Sequence, residues 1–537
     1  MDTNANWMSP DVKEENNQLK NQQKFLLTKI VATLGPASAS LKTMLRLIEE
    51  GVRVFRINFS HGTFEEYDQF LNTIRQASKK INTAVGVIGD LSGPKIRIGD
   101  VIKGGVILQK RGEVVFQKTE VITGSNGSKQ SKDLVFSTNY PAFIKEVQIG
   151  QQILLDDGNV RLLCRQKKGR AADQKLICEV VDGGLITSHK GVNLPDTVLS
   201  VPALTEKDYR CVNYAVKREF DFLALSFVRR AEDIRLLKAY LKKLGVRQFD
   251  PLRHREHHLK VKKSDNLRTG IMPIISKIEK PQAIDHLEAI IEETDLVMVA
   301  RGDLGVEMDL AELAVLQKKI IRMCHCYATP VIVATQMLQS MIESPTPTRA
   351  EVSDVANAIF DGADAVMLSG ETAVGKYPVE TVQMMNRIAA RTNEFLQIEH
   401  FHISTPQKLQ EMRYRTPALA HGVKSIVRDM DAPFIIMWSQ MGGGALYLSQ
   451  QRIPRPILAF SSNQQALRQM SVLYGVTPFY MAKPSSNSEF IRQVDRMLLQ
   501  KKWAKKGEAV VFVMGEPIDR VGVTNNISIH YLGESDK

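Results

Sequence analysis

The chain has 537 residues, of which 43% are hydrophobic, and a formal net charge of +12. That length supplies several cores, about three or four domains of ordinary size, and the lack of any apolar run of about 18 residues argues against a membrane span. The basic residues are spread out rather than interleaved with aromatics, which argues against nucleic acid as a partner and suits anionic metabolites.

Five cysteines (Cys164, Cys178, Cys211, Cys324 and Cys326) show no framework spacing, which fits a reducing compartment. The N-terminus is polar and lacks an apolar signal core, so a cytoplasmic location is expected. Cys324-His325-Cys326 has metal-binding residue types, but no second ligand pair stands at zinc spacing, so buried helix residues are expected there.

Residues 1–27 read as a flexible N-terminal extension. From Lys29 a rhythm begins. Apolar strands over Lys29–Gly35, Val52–Phe59 and Ala84–Leu91 alternate with helical patterns over Ser40–Glu50 and Thr63–Lys79. The rhythm breaks near residue 97, where Val/Ile-rich runs divided by Gly, Asn and Asp predict an inserted all-β domain over 98–195. It then resumes with strands at Phe222–Val228, Pro273–Glu279, Asp295–Asp303, Pro330–Gln336 and Ala363–Gly370. Eight strands with intervening helices predict an α/β fold, a (β/α)8 TIM barrel formed by 28–97 and 196–388. A second strand–helix series over 389–537 predicts a C-terminal open α/β domain. Between helix and strand, residues 246–270 are rich in Lys, Arg and His. His254, Glu256, His257 and His258 have no matching ligands elsewhere, so a solvated loop is expected.

In such a barrel, chemistry gathers at the C-terminal ends of the strands. The sequence puts Arg56, Asn58, Ser60, His61, Asp90, Lys277, Glu279, Arg301, Gly302, Asp303, Thr335, Ser369 and Glu371 there. Singly each could be a cap or turn residue; together they predict a converging site. Ile275, Lys277 and Glu279 share one face of a strand. A cation and a carboxylate on so apolar a strand are costly unless paired or bound to something charged. Glu279 and Asp303 are oxygen ligands of the kind Mg²⁺ prefers, and Arg56 and Lys277 are cations suited to a phosphoryl group. Gly302 lets backbone N–H groups approach a carboxylate. Thr335 and Ser369 are hydroxyls able to relay a proton. No Walker loop is present.

Several stretches carry a resemblance to a known family: Lys29-Ile-Val-Ala-Thr-Leu-Gly-Pro-Ala-Ser38, Phe55-Arg-Ile-Asn-Phe-Ser-His-Gly62, Gly93-Pro-Lys-Ile-Arg97, Lys190-Gly-Val-Asn-Leu-Pro195, Ile275-Ser-Lys-Ile-Glu279, Met298-Val-Ala-Arg-Gly-Asp-Leu-Gly305, Ala334-Thr-Gln-Met-Leu338, Pro347-Thr-Arg-Ala-Glu351 and Met367-Leu-Ser-Gly-Glu-Thr-Ala373. In these, over roughly 28–520, the chain resembles the pyruvate kinases. The resemblance implies transfer of a phosphoryl group from phosphoenolpyruvate to ADP, giving pyruvate and ATP. It implies Arg56 and Lys277 on the phosphoryl group, with Lys277 stabilising the transition state. It also implies Mg²⁺ (or Mn²⁺) on Glu279 and Asp303, and substrate contacts from Gly302, Asp303 and Thr335. Asn58, His61, Arg97 and Lys190 would face the nucleotide, and Thr335 and Ser369 would help protonate the enolate. The inserted domain would act as a lid, and the assembly would be a homotetramer.

Two departures matter. The family's K⁺ site would fall on Asn58, Ser60, Asp90 and the Leu91 carbonyl, but Leu91 replaces the usual Thr and Lys95 stands where Glu is common. The expectation is that Lys95 supplies the charge and K⁺ is dispensable; the plain alternative is that Lys95 pairs with a nearby carboxylate. In the C-terminal domain, Ser439-Gln-Met-Gly-Gly-Gly-Ala445 has one hydroxyl where sugar-phosphate-activated members have several. Glycine N–H groups could still cradle a phosphorylated effector, and a simple turn is the alternative. The competing readings are a Mg²⁺-dependent lyase on a similar barrel and a catalytically dead regulator that binds an acidic partner.

Overall fold

The computed structural model describes residues 25–124, 134–169, 173–246, 271–398, 406–411, 415–518 and 523–534. The N-terminal extension as far as residue 24, and the basic stretch from 247 with its His254–His258 cluster, lie outside the described residues.

Eight parallel strands close into a barrel: β1 (Lys29–Thr33), β2 (Val52–Asn58) and β3 (Gly86–Asp90), then, after the insertion, β12 (Phe222–Leu225), β13 (Ile274–Ile278), β14 (Leu296–Ala300), β15 (Val331–Ala334) and β16 (Ala365–Leu368). Period-two alternation sorts their side chains. On β13, Ile274 and Ile278 join the layer against the outer helices, while Ile275 faces the barrel interior with Val31, Ile88, Met298 and Met367. The outer helices start where the sequence supplies caps: the hydroxyls of Ser40, Thr63, Thr205 and Thr348 each accept a backbone N–H of the first turn.

The insertion carries β4 (Val106–Leu108), β5 (Glu113–Phe116), β6 (Leu134–Phe136), β7 (Gln152–Leu155), β8 (Val160–Lys168), β9 (Lys175–Asp182), β10 (Gly184–Ile186) and β11 (Val192–Asn193). Six of these form one sheet in the order β11-β7-β8-β9-β5-β6, and β10 pairs with β4. Phe116, Phe136 and Phe143 centre its own core. The C-terminal sheet runs β19-β18-β17-β20-β21, from β17 (Ile435–Trp438), β18 (Ile457–Ser461), β19 (Val476–Tyr480), β20 (Ala509–Met514) and β21 (Asn526–Tyr531). The last strand is antiparallel to its neighbour and forms one edge of this sheet. No helix among the described residues is long and apolar enough to cross a membrane.

Two features differ from the sequence reading. Phe25, Leu26 and Leu27, assigned there to the flexible extension, are buried. Phe25 meets Phe434 and Trp503 edge-on at 5.4 and 4.9 Å, and Leu27 accepts the Gly475 N–H. Phe25 packs into the core of the C-terminal domain and Leu26 into that of the barrel, so this short segment joins the two. The helix Pro378–Ile398 also runs unbroken through residue 388, where the reading ended the barrel; a continuous helix leaves no structural mark at that limit. Cys324 is a buried residue of the helix Leu310–Cys326, as expected. No group of three or more potential metal-binding His, Cys, Asp or Glu side chains occurs among the described residues.

Candidate active site

The parallel strands are mostly apolar, and the polar side chains at their C-terminal ends fall at that rim of the barrel. Arg56 and Asn58 arrive there from β2, Asp90 from β3, Lys277 and Glu279 from β13, and Thr335 from the end of β15. Gly302 and Asp303 open the helix Arg301–Glu307 after β14, and Ser369 follows β16.

The centre is a four-membered charge cluster. The Arg56 Nε donates to Asp90 Oδ2 at 2.6 Å, and the Lys277 ammonium lies 2.7 Å from Glu279 Oε1 and 3.4 Å from Asp90 Oδ2. Arg56 also donates to Thr33 Oγ1 at 3.1 Å. Burial alone would discharge these groups. For Lys277 it is outweighed by the carboxylates of Asp90 and Glu279, which hold the ammonium above its ordinary value. For Asp90 it is outweighed by Lys277 and Arg56, which hold the carboxyl low. Glu279 goes the other way: burial pushes it up to about 7 against the pull of Lys277, and the charge of Asp303 adds to the rise. Two carboxylates that repel one another across a buried site form a donor set a divalent cation would relieve. Glu279 and Asp303 therefore fit the expected metal.

Thr335 sits at φ +69°, a conformation rare for a β-branched residue. There its hydroxyl donates to the Ala334 carbonyl at 2.6 Å and accepts the Gly302 N–H at 2.7 Å. Arg301, buried beneath, donates to the carbonyls of Thr335 and Gln336 and pairs with Asp354, so it clasps the strained turn. The Ser369 hydroxyl is buried and has no hydrogen-bond partner among the described residues. No described contact joins Ser369 to Thr335.

The nucleotide-side residues form a looser rim. His61 is pushed below its usual range by burial and then by Arg97, Lys95, Lys207 and Arg56, so four cations surround it. Arg97 donates to the His189 carbonyl at 2.7 Å, and Lys190 pairs with Asp156 at 2.6 Å. Asn58 Oδ1 accepts the Ser60 N–H at 3.1 Å. Lys95 is exposed and, among the described residues, forms no ion pair. A cleft lined by Lys95, Asp157, Asn193, Arg229, Lys280 and Asp303 runs between the insertion and the barrel. It is bridged where Asn193 donates to Glu307, which also pairs with Lys280.

The sequence reading missed three contributors. Lys207, in the first turn of the helix Glu206–Lys217, donates to the Ser60 carbonyl at 3.3 Å. Ser226 and Phe227 follow β12, and they touch Lys277 and Glu279 at 2.8 and 2.7 Å. The missed signal was the serine following Phe222-Leu-Ala-Leu225; that strand, like β1, was given no polar terminus.

Comparison with known proteins bears on the family and the fold. The family profile "Pyruvate kinase, barrel domain" matches residues 25–272 and 253–382, and "Pyruvate kinase, alpha/beta domain" matches 417–530. The chain is 39% identical to the pyruvate kinase of Corynebacterium glutamicum over 510 residues, covering 95% of this chain and 98% of that one. It is 39% identical to that of Mycobacterium tuberculosis over 508 residues, covering 95% and 99%. A crystal structure of a pyruvate kinase from Cryptosporidium parvum superposes with a TM-score of 0.80 at 29% identity, over 95% of this chain and 97% of that one. Barrel, insertion, C-terminal sheet and matches over nearly the whole length agree: the chain belongs to the pyruvate kinase family, phosphotransferases that pass the phosphoryl group of phosphoenolpyruvate to ADP.

Proposed function

We propose that Lys277 is the transition-state stabiliser of this reaction, with Arg56 beside it. The observation that carries the reading is the convergence of both cations on Asp90 at the barrel rim, next to the carboxylates of Glu279 and Asp303. As the phosphoryl group leaves phosphoenolpyruvate, charge spreads over its equatorial oxygens. A guanidinium and an ammonium already fixed by Asp90 meet that charge without reorganising. Glu279 and Asp303 would hold Mg²⁺ or Mn²⁺, which supplies Lewis-acid polarisation of the substrate oxygens. Gly302, Asp303 and Thr335 are assigned to the substrate, and the bond from the Gly302 N–H to the Thr335 hydroxyl holds two of them together.

The enolate left behind needs a proton. Thr335 holds a hydroxyl at the site, and Ser369 offers a second whose hydrogen is uncommitted. Asn58, His61, Arg97 and Lys190 are assigned to the nucleotide, and the cation excess around His61 suits a polyphosphate. Closing the insertion over the cleft would exclude water, which otherwise competes with ADP. Lys95, lacking a carboxylate partner, is assigned the charge that a monovalent cation at Asn58, Ser60, Asp90 and the Leu91 carbonyl would supply. The alternative is that Lys95 pairs with a nearby carboxylate, and Asp157 lines the same cleft. A homotetramer, a cytoplasmic location and a phosphorylated effector at Ser439–Ala445 complete the reading. At that turn Gly442 (φ +86°) leads straight into the helix Gly443–Gln450.

The test is Mn²⁺ titration of the folded enzyme beside Glu279→Gln and Asp303→Asn. Affinity should fall at least about tenfold in each variant, the range set by losing one carboxylate ligand. Unchanged affinity in both would refute the metal assignment.

A further inference from the structure

We propose that the turn after β12, Ser226–Arg229, is a positioning element for the reaction, with Ser226 aiming the Lys277 ammonium. The inference rests on the reading of Lys277 as the group that stabilises the transferring phosphoryl.

Ser226 is buried, with 3% of its surface exposed, so water does not compete for its hydroxyl. A hydroxyl has one hydrogen to give. That of Ser226 lies 2.7 Å from the Leu91 carbonyl and 3.4 Å from Asp90 Oδ1, so the carbonyl takes it. The oxygen lone pairs are then left for Lys277, whose ammonium donates at 2.8 Å. An ammonium has three hydrogens. Ser226, Glu279 and Asp90 account for all three directions. Ser226 is the one neutral acceptor among them, so it holds the nitrogen off the carboxylates without cancelling its charge. Deleting it lets Lys277 collapse onto Glu279 and Asp90, away from where the phosphoryl charge develops.

The next residue does the matching task for the metal carboxylate. Phe227 adopts φ +55°, unusual for an aromatic residue, and from there its N–H donates to Glu279 Oε2 at 2.7 Å. Two residues on, the Arg229 guanidinium donates to the carbonyls of Leu199 and Val201, each at 2.8 Å. Those residues lie where the chain returns from the insertion to the barrel. One short turn thus grips the lysine, the carboxylate facing it and the return connection of the lid.

The test measures kcat, KM for phosphoenolpyruvate and melting temperature for Ser226→Ala and the near-isosteric Ser226→Cys, whose thiol is a weak acceptor. Each is made alone and in a Lys277→Met background. Alone, each should lower kcat roughly tenfold with KM moved less than about threefold, because the lost interaction acts in the transition state. In the Lys277→Met background the same substitutions should change the residual rate less than about twofold, since a group acting through Lys277 has nothing left to aim. An equal loss in both backgrounds, an unchanged kcat, or a loss that only follows a lowered melting temperature would overturn the proposal. If Lys277→Met itself left the rate intact, the reading beneath it would fail instead, and the two failures are distinguishable.

Discussion

The two rims of the barrel both bury charge, and they use it differently. At the N-terminal rim, Asp221, Asp295 and Asp364 each stand immediately before a strand and repeat one contact. Each accepts the backbone N–H of a neighbouring-strand residue (Val87, Ile274 and Val331, at 2.9, 2.8 and 2.8 Å) and gives its own N–H to that residue's carbonyl. Arginines of the C-terminal domain then complete two of them: Arg468 pairs with Asp221 and Arg452 with Asp364, both at 2.7 Å. These carboxylates staple strand to strand and domain to domain, and their bonding capacity is largely spent inside the protein. At the C-terminal rim, Arg56 and Lys277 both pair with Asp90, and Lys277 also with Glu279, whose carboxyl feels the charge of Asp303, so like charges adjoin within one cluster. At the first rim each carboxylate's partners belong to the framework of the fold; at the second, paired charges of both signs are gathered with like charges adjoining, an arrangement that a divalent cation and a charged substrate would relieve.

This comparison can be broken from either side. The largest expected effect on stability is at the N-terminal rim. Asp221→Ala strands Arg75 and Arg468 and removes an acceptor from Val87, so it should cost about 3–5 kcal/mol in denaturant unfolding, the range for breaking a buried pair. A cost under about 1 kcal/mol would show that the staple is ornamental. Next is the monovalent cation. Activity in K⁺-free buffer should stay above about a tenth of the K⁺ value, a difference under about 1.4 kcal/mol in the barrier. A larger dependence would return the charge to K⁺ and leave Lys95 without that role.

The smallest effect is a pH dependence at Lys29. This lysine is buried at the start of β1, donates to the Leu26 carbonyl, and is pushed well below its ordinary value by burial and by Arg53. A base whose folded-state pKa is depressed binds fewer protons folded than unfolded, so its contribution to stability rises with pH up to its unfolded value near 10.5. Lys29→Met should remove that rise, leaving a flatter dependence of unfolding free energy on pH below about 10. Identical pH slopes for wild type and variant would contradict the burial account.

Much of the site was legible because parallel strands buried on both faces are apolar, so Arg56, Asp90, Lys277 and Asp303 stand out as breaks in the pattern. What was not legible depends on where a strand stops. Phe222-Leu-Ala-Leu-Ser-Phe-Val228 reads as one apolar run, yet the strand ends at Leu225 and the backbone turns through a positive φ at Phe227. Nothing in the composition marks that reversal, so Ser226 was read as a strand residue. Lys207 was hidden because it begins a helix and reaches back across the fold to Ser60. The aspartates before the strands were visible, but their shared bonding appears only when neighbouring strands are in register. Phe25–Leu27 were lost to the polar composition around them.

The central claim is that the clustered charge at the C-terminal rim serves the reaction rather than the fold. Its most direct test is Lys277→Met, assayed for ATP formation from phosphoenolpyruvate and ADP with Mg²⁺, with melting temperature measured on the same preparation. We expect a rate loss of about 10³-fold, the scale for removing a preorganised electrostatic stabiliser, in a protein that melts within a few degrees of wild type. A rate within about tenfold of wild type from folded protein would contradict the account.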